Sequence, residues 1–230
     1  WYVVGAVALV GVWEGVVRVL DVRPFVLLPP SRIVSTFIDD PRLYLEHGWV
    51  TARHLVTGVA IALAVSVAIG ALLAAWRPLE AASQPLLVLI MVTPWVAYIS
   101  SIVLWLGAGT PSIVFLVAFV TVPAFVYATV AGMRSADAAA RELFASIDAR
   151  PFEVLWRLRL PSALPSLFTS LRFNVGLGLA AAYYAEGSAF TTEGLGAIGR
   201  RAAAQQQGGT TLWTTILTTA LLGIAAQLVV

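Results

Sequence analysis

Residues 135–165 read SADAAARELFASIDARPFEVLWRLRLPSALP, a polar and charged stretch between two apolar segments of the chain. Ser135 or Asp137 is suited to cap a helix that continues to about Ile147, because a side-chain oxygen can accept from the free amides at a helix start. The apolar residues of this helix share one face: Leu143, Phe144 and Ile147. The sequence therefore predicts an amphipathic first arm.

A second arm follows a break at Asp148-Ala149-Arg150. Pro151 suits the first position of a new helix, and Glu153 in its first turn is favourable for the helix dipole. Pro161 and Pro165 are expected to end this arm before the next apolar segment. The apolar residues of the arm follow helical spacing: Phe152, Leu155, Trp156 and Leu160. The stretch thus predicts a helix–turn–helix with an apolar surface at its bend.

The rest of the chain has the composition of a protein solvated by lipid. Its 230 residues are 60% hydrophobic and 11% charged, with a mean hydropathy of +0.89, whereas soluble domains carry about 25% charged residues. Apolar segments of about 20 residues predict an all-α polytopic membrane protein with six spans. These spans are residues 1–20, 55–76, 86–106, 113–131, 167–184 and 212–230. The helix–turn–helix then lies outside the membrane, either on lipid headgroups or inserted into another protein.

Six spans leave no length for a separate soluble domain, so residues 1–230 are predicted to form a single transmembrane domain. Its longer connections lie at about 21–53, 134–165 and 186–209. The first is charged and rich in proline, which predicts an aqueous loop with one short amphipathic helix after Pro30. Arginines are spread too evenly over both sides for charge to decide the orientation.

Several kinds of chemistry are excluded by residue types that the chain lacks. It has no Cys, and all 14 of its basic residues are Arg. Thiolate sites and a Walker A phosphate loop are therefore excluded, and ATP hydrolysis by this chain with them. A net charge of +2 does not indicate nucleic acid binding. His47 and His54 have no carboxylate at ligand spacing, so no metal site is predicted.

The glycine run GLGAIG at residues 194–199 formally matches a dinucleotide fingerprint. That motif requires a preceding strand and an acidic residue about 20 positions on, and no acidic residue follows Glu193. The run is instead predicted to be a glycine-containing turn in a loop that faces outside.

Polar residues in and after the fifth predicted span are candidates for gating or for the substrate path. Glu186 follows Tyr183 and Tyr184, and charges at membrane depth are costly enough to suggest function. The alternative for Glu186 is an interfacial cap within an aromatic belt. Asn174 could face a translocation path, although helix packing explains it more simply.

Motifs distributed along the chain resemble the permease subunit of a binding-protein-dependent ABC importer of the nitrate/sulfonate/taurine type. The motifs that carry the resemblance occur in order over about residues 27–230: Leu27-Leu28-Pro29, Leu104-Trp105-Leu106-Gly107, Met133-Arg134-Ser135, Asp137, Glu142, Ser146, Leu160-Pro161, Leu164-Pro165, Ala185-Glu186 and Gly194-Leu195-Gly196. Two positions depart from the family pattern. Leu143-Phe144 stands where the family has two alanines, and Asp148 stands where it has glycine.

The resemblance implies a type I ABC importer fold, and a multi-pass protein of the cytoplasmic membrane. It implies that residues 134–165 are a cytoplasmic coupling loop, and that 21–53 and 186–209 are outer loops. It also implies that two partner ATPase subunits bind ATP and Mg, and that this chain itself holds no cofactor. A second permease chain and an extracytoplasmic substrate-binding protein would complete the importer. The implied ATPase-coupling residues are Asp137, Glu142, Leu143, Phe144, Ser146, Ile147, Asp148 and Arg150.

Asp148 carries two further expectations. A glycine at a helix-ending bend usually supplies a positive φ, and Asp tolerates that conformation better than most residues, so Asp148 is expected to keep the bend. Its negative charge on the coupling surface favours a pore of two different permease chains over two identical ones. The alternative functions are an ion-coupled secondary transporter or channel, and a membrane scaffold. The lack of intramembrane acids and bases in the second to fourth spans argues against ion coupling.

Overall fold

A computed structural model describes residues 1–23, 26–189, 191–205 and 208–229. Every regular element within these residues is helical, which confirms the all-α prediction. Besides the α-helices, residues Trp95–Tyr98 form a 3₁₀ turn and residues Leu155–Arg159 form a π-helical turn. The helices in chain order are α1 Tyr2–Val19, α2 Pro30–Asp39, α3 Pro41–Ala75, α4 Arg77–Val92, α5 Ile99–Leu106, α6 Thr110–Arg134, α7 Ala138–Ser146, α8 Pro151–Val154, α9 Leu160–Ser188, α10 Leu195–Ala203 and α11 Gly209–Val229.

The centre of the molecule is formed by α3, α6 and α9, which pack along one another. Hydroxyls buried in this centre have hydrogen-bond acceptors, as a site without water requires. Thr121 Oγ1 donates to the carbonyl of Val117 at 2.8 Å, and Thr129 Oγ1 donates to that of Phe125 at 2.7 Å. The remaining core is apolar and includes Leu55, Val59, Ala62, Met133, Ala163, Leu167, Val175 and Leu179. The other helices attach to this three-helix unit.

Three of the described helices, α3, α6 and α11, are long and apolar enough to cross a membrane. The bent pair formed by α4 and the segment Trp95–Leu106 qualifies as a fourth if it is counted as one span. The fifth predicted span corresponds to α9, whose 29 residues include polar positions such as Arg172, Asn174 and Glu186. The total of six spans stays a prediction.

The third predicted span, residues 86–106, is wrong as a continuous helix. The chain bends by 90° between α4 and the following helical segment. Pro94 has no amide to donate to the carbonyl of Ile90, and it forces the preceding residue into an extended conformation. Thr93 accordingly has φ −69° and ψ 131°. The break therefore follows from the proline.

The first long connection, predicted as residues 21–53, is helical over much of its length. The amphipathic helix expected after Pro30 is confirmed as α2. Residues 41–53, in contrast, are wrong as a loop, because they form the beginning of α3. Asp40 Oδ1 accepts from the amide of Leu43 at 3.1 Å, and Pro41 occupies the first helical position, so this helix has strong start signals.

The prediction that the second arm of the helix–turn–helix ends at Pro161 and Pro165 is wrong. Helical backbone continues from Pro151 through the π turn into α9 and reaches Ser188. In the π turn the amide of Leu160 donates to the carbonyl of Leu155, one residue further back than in an α-helix. This shift of the bonding pattern lies just before Pro161, where an amide donor is missing. The arm and the α9 helix are therefore one continuous rod.

Candidate functional site

The helix–turn–helix outside the core, residues 137–160, begins as the sequence predicts. Asp137 Oδ1 accepts from the amide of Ala140 at 2.9 Å and caps α7. On the apolar face of α7, Leu143 and Ile147 are 60% and 65% exposed, and Phe144 is half-buried. We refer to residues 137–160 as the strap. Large apolar side chains on its surface are left without a partner within the described chain.

The bend of the strap is built on backbone hydrogen bonds and one left-handed residue. Asp148 has a φ of 47°, which confirms the expected conformation. Its amide donates to the carbonyl of Ala145 at 3.2 Å, and the amide of Ala149 donates to that of Phe144 at 3.0 Å. These bonds close the end of α7 in the manner of a left-handed helix cap.

The second arm starts at the predicted proline and carries its own exposed apolar pair. Pro151 is the first residue of α8, and Glu153 Oε2 accepts from the amide of Arg150 at 3.3 Å. Phe152 and Trp156 are 68% and 55% exposed, and their ring centroids lie 6.0 Å apart. Both arms thus present apolar side chains close to the bend. The remaining predicted coupling residues, Glu142, Ser146 and Arg150, are also exposed.

The left-handed residue at the bend leads to a first prediction. Replacing Asp148→Gly removes a strain of about 1 kcal/mol, whereas Asp148→Val places a β-branched side chain where it is least tolerated. We expect hydrogen exchange at the amide of residue 149 to become slower in the Gly variant and at least about fivefold faster in the Val variant. Glu142→Val, at an exposed helical position, is the matched control. Equal exchange in all three variants would contradict the role of the bend.

A second candidate site lies at the opposite end of α9, around Glu186. This carboxylate is 1% exposed, and its hydrogen-bond partners lie on other segments of the chain. Glu186 Oε2 accepts from Thr51 Oγ1 at 2.9 Å and from the amide of Gly196 at 3.0 Å. Glu186 Oε1 lies 2.8 Å from His54 Nδ1. A buried charge is tolerated only when it is paired in this way.

The first amides of α10 point into the same cluster. The amide of Leu195 donates to Thr51 Oγ1 at 2.9 Å, and that of Gly194 donates to His47 Nδ1 at 2.9 Å. These amides have no partner within their own helix, so the side chains of α3 and α9 act as its cap. The carboxylate of Glu186 also lies at the positive end of the helix dipole. The glycine run 194–199 is therefore a buried helix start, and the prediction of a turn was wrong.

Two glycines allow the close approach. Gly194 has a φ of 98°, and a Cβ there would overlap the carboxylate of Glu186. A Cβ on Gly196 would overlap the backbone carbonyl of Tyr183. The sequence pattern Gly194-Leu195-Gly196 is thus required by packing of α10 on α9.

His54 extends the cluster to a fourth helix. Its Nε2 lies 3.2 Å from Thr110 Oγ1 at the start of α6. Because an ionised carboxylate only accepts, Nδ1 of His54 donates to Glu186 when that group is ionised, and Nε2 then accepts from the Thr110 hydroxyl. We call Glu186, His54, Thr51 and the amides of residues 195 and 196 the outer cluster; it joins α3, α9 and α10 and touches α6.

The other residues predicted for gating or the substrate path do not join the outer cluster directly. Asn174 is buried and its Nδ2 donates to Ser170 O at 2.9 Å, in its own helix. Tyr183 shares a hydrogen bond of 3.1 Å with Thr215 Oγ1 on α11. Tyr184 packs edge-on against Trp95, with ring centroids 5.5 Å apart.

The sequence interpretation missed the histidines and Thr51. His47, Thr51 and His54 are spaced by four and three positions, which places them on one helix face. The prediction of a loop over residues 41–53 conceals this spacing. Among the described residues, no group of three or more His, Cys, Asp or Glu side chains is arranged to hold a metal ion.

A bundle of long apolar helices with an amphipathic strap outside its core is typical of a helical membrane protein. Residues 60–230 match the family of binding-protein-dependent transport system inner membrane components, and the chain belongs to this family. The family resemblance indicated by the sequence motifs is thereby confirmed.

Individual relatives agree with this assignment. The chain is 30% identical to the formylaminopyrimidine transport permease protein ThiX of Halalkalibacterium halodurans, over 94% of this chain and 86% of that protein. It is 25% identical to the taurine transport system permease protein TauC of Escherichia coli, over 82% of this chain and 70% of TauC. An inward-facing structure of the MetNI methionine ABC transporter matches with a TM-score of 0.71 and 17% identity, over 81% of this chain and 92% of the matched chain. The fold is therefore that of a type I ABC importer permease.

Proposed function

We propose that this chain forms one half of the translocation path of an ATP-driven importer in the cytoplasmic membrane. A binding protein delivers a small molecule on the outer side, and two separate ATP-binding subunits act on the inner side. Closure of those subunits around ATP would move the strap and switch the path between outward and inward access. Residues 21–53 and 186–209 would then lie at the outer face of a single permease domain.

The observation that carries this proposal is the exposed apolar surface of the strap. Leu143 and Ile147 on the first arm and Phe152 and Trp156 on the second are all more than half exposed. Contiguous exposed apolar side chains outside the core mark an interaction surface. A cleft in an ATP-binding subunit is the occupant that fits a permease of this family.

We infer that a second permease chain encloses the path with this one. The negative charge of Asp148 at the bend favours a partner chain of different sequence. Cross-linking of the native complex tests this: two copies of the same chain around one path would refute the pairing of different chains.

The chain's lack of lysine gives a direct functional prediction. We expect the purified chain to hydrolyse no ATP, because the phosphate-binding loop of ATPases requires a lysine that this sequence lacks. Purification of the tagged chain from its native membrane should recover a separate subunit, and ATPase activity should accompany that subunit only. The two fractions are assayed side by side for phosphate release. ATP turnover by the chain free of any partner would contradict the proposal.

A second candidate function is favoured by the buried pair of His54 and Glu186. Paired acids and bases at membrane depth serve as proton relays in ion-coupled transporters. Such a transporter would accumulate substrate in vesicles without ATP when a pH gradient is imposed. The proposed importer would show no uptake under the same conditions.

A further inference from the structure

The outer cluster and the second arm of the strap lie at opposite ends of one continuous helical rod, which includes the π turn Leu155–Arg159. The rod runs from Pro151 in the strap to Ser188, two residues beyond Glu186. At about 1.5 Å per residue it is about 57 Å long, which exceeds the thickness of the hydrocarbon core. A displacement of the strap is therefore carried to Glu186 with no loop in between to absorb it.

At its far end the rod is joined to other elements by buried polar bonds. Glu186 accepts from Thr51 and lies within bonding distance of His54, both on α3, and it accepts from the amide of Gly196 on α10. Thr51 is fully buried and His54 is 5% exposed. Buried networks of this kind rigidify the segments that they connect.

We propose that the outer cluster is a rigid joint, which makes α10 move together with α9 and α3 as one body. Motion of the strap thereby reaches the outer mouth of the path. Glu186, His54 and Thr51 are its positioning residues, because they act through α10 and not on the transported molecule. The claim that this motion serves transport rests on the proposed function. The claim that α10, α9 and α3 move together rests only on the hydrogen bonds of the outer cluster.

Hydrogen bonding, and not charge, is what such a joint needs from Glu186. In Glu186→Gln the amide oxygen can still accept from Thr51 and Gly196, and its NH₂ can donate to His54 Nδ1 once the ring changes tautomer. His54 Nε2–H then donates to Thr110, so every member of the cluster keeps a partner. In Glu186→Ala the amide of Gly196 is left buried without an acceptor, which is the costly outcome. Thr51 Oγ1 keeps only the carbonyl of His47, at 3.2 Å, and Nδ1 of His54 loses its partner.

The first test compares these two variants with Glu193→Gln as the control, because Glu193 is an exposed carboxylate two residues before α10. We expect ATP-dependent uptake by the reconstituted complex to stay within about threefold for Gln and to fall at least about tenfold for Ala. Hydrogen exchange at the amides of residues 195–199 should accelerate in the Ala variant only. Equal losses in the Gln and Ala variants would overturn the joint and favour a proton relay, in which the charge itself matters.

The second test joins α10 to α9 covalently. The chain has no cysteine, so an engineered pair reacts cleanly. A Cβ on Gly187 would lie 3.3 Å from Cβ of Arg200 and 3.1 Å from the carbonyl oxygen of Gly196. A disulfide requires a Cβ–Cβ distance of about 3.5–4.5 Å, so the two helices must separate by a few tenths of an ångström to accept it. The pair Gly187→Cys with Arg200→Cys therefore bridges the two helices, and its reduced form is the internal control.

If α10 and α9 move as one body, the oxidised pair leaves uptake unchanged in the otherwise unmodified chain. In the Glu186→Ala background, oxidation should restore both uptake and the protection of residues 195–199. Inhibition of the unmodified chain by oxidation would show that α10 moves relative to α9 and would refute the proposal. Absence of ATP-dependent uptake in the parent complex would refute the proposed function instead, and the exchange measurements would still decide whether the joint exists.

Discussion

Replacement of Phe144→Asp or Ile147→Asp is expected to abolish ATP-dependent transport while leaving the chain inserted and folded. Ile147 is 65% exposed and Phe144 half-exposed on the strap, so neither change disturbs the core of this chain. In the assembled importer, each new carboxylate would be buried without a partner in an apolar cleft of the ATP-binding subunit. That costs about 2–5 kcal/mol, enough to weaken docking by roughly 30-fold or more.

The control for this result is Ala138→Asp. It adds the same charge to the strap at the first residue of α7, on the face opposite Ile147, where a carboxylate is favourable for the helix dipole. Uptake into proteoliposomes and membrane content are measured for all three variants. Normal uptake by both Phe144→Asp and Ile147→Asp would mean that the strap lies on lipid headgroups and does not couple transport to the ATP-binding subunit.

The second large effect is expected from Gly196→Ala. The added Cβ would overlap the backbone carbonyl of Tyr183, which cannot move aside without shifting α9 or α10. Overpacking against backbone costs about 3 kcal/mol, and a loss of this size lowers the Tm by about 10 °C in a protein of this length. The amide of residue 196 would also be displaced from Glu186, which opens the outer cluster.

Gly176→Ala is the matched control for this substitution. Gly176 lies within α9, and a Cβ there meets no atom within 4 Å. Alanine favours the helix at such a site, so its Tm should be unchanged or slightly higher. Thermal unfolding of the purified chains in detergent measures both. A Tm for Gly196→Ala equal to that of the control would show that α10 packs less closely on α9 than described.

Local signals in the sequence were sufficient for the strap. Asp137 as a cap, a positive φ at Asp148 and Pro151 at a helix start all depend on neighbouring residues, and each was predicted correctly. The family was likewise readable, because its motifs are short and ordered along the chain. The effect of individual prolines was predicted less well. Pro94 breaks a span that was predicted to be continuous, while Pro165 lies inside a helix that it was predicted to end. Surrounding packing and hydrogen bonding decide that difference, and neither is visible in composition.

The outer cluster could not be predicted, because its members are far apart in sequence. Glu186 and His54 are brought together only when α3 and α9 pack side by side. The glycine run 194–199 gave no indication that its amides would face a carboxylate ten residues earlier. Once residues 41–53 are recognised as helix, the spacing of His47, Thr51 and His54 on one face becomes a usable signal.

The most direct test of the central claim is to find what the strap touches in the assembled complex. A photo-crosslinking residue is introduced at Ile147, with Ala138 as the matched position, and native membranes are irradiated with and without ATP. The proposed function predicts a covalent adduct between position 147 and the ATP-binding subunit, with a yield that depends on ATP. Adducts to lipid alone from position 147 would contradict coupling through the strap.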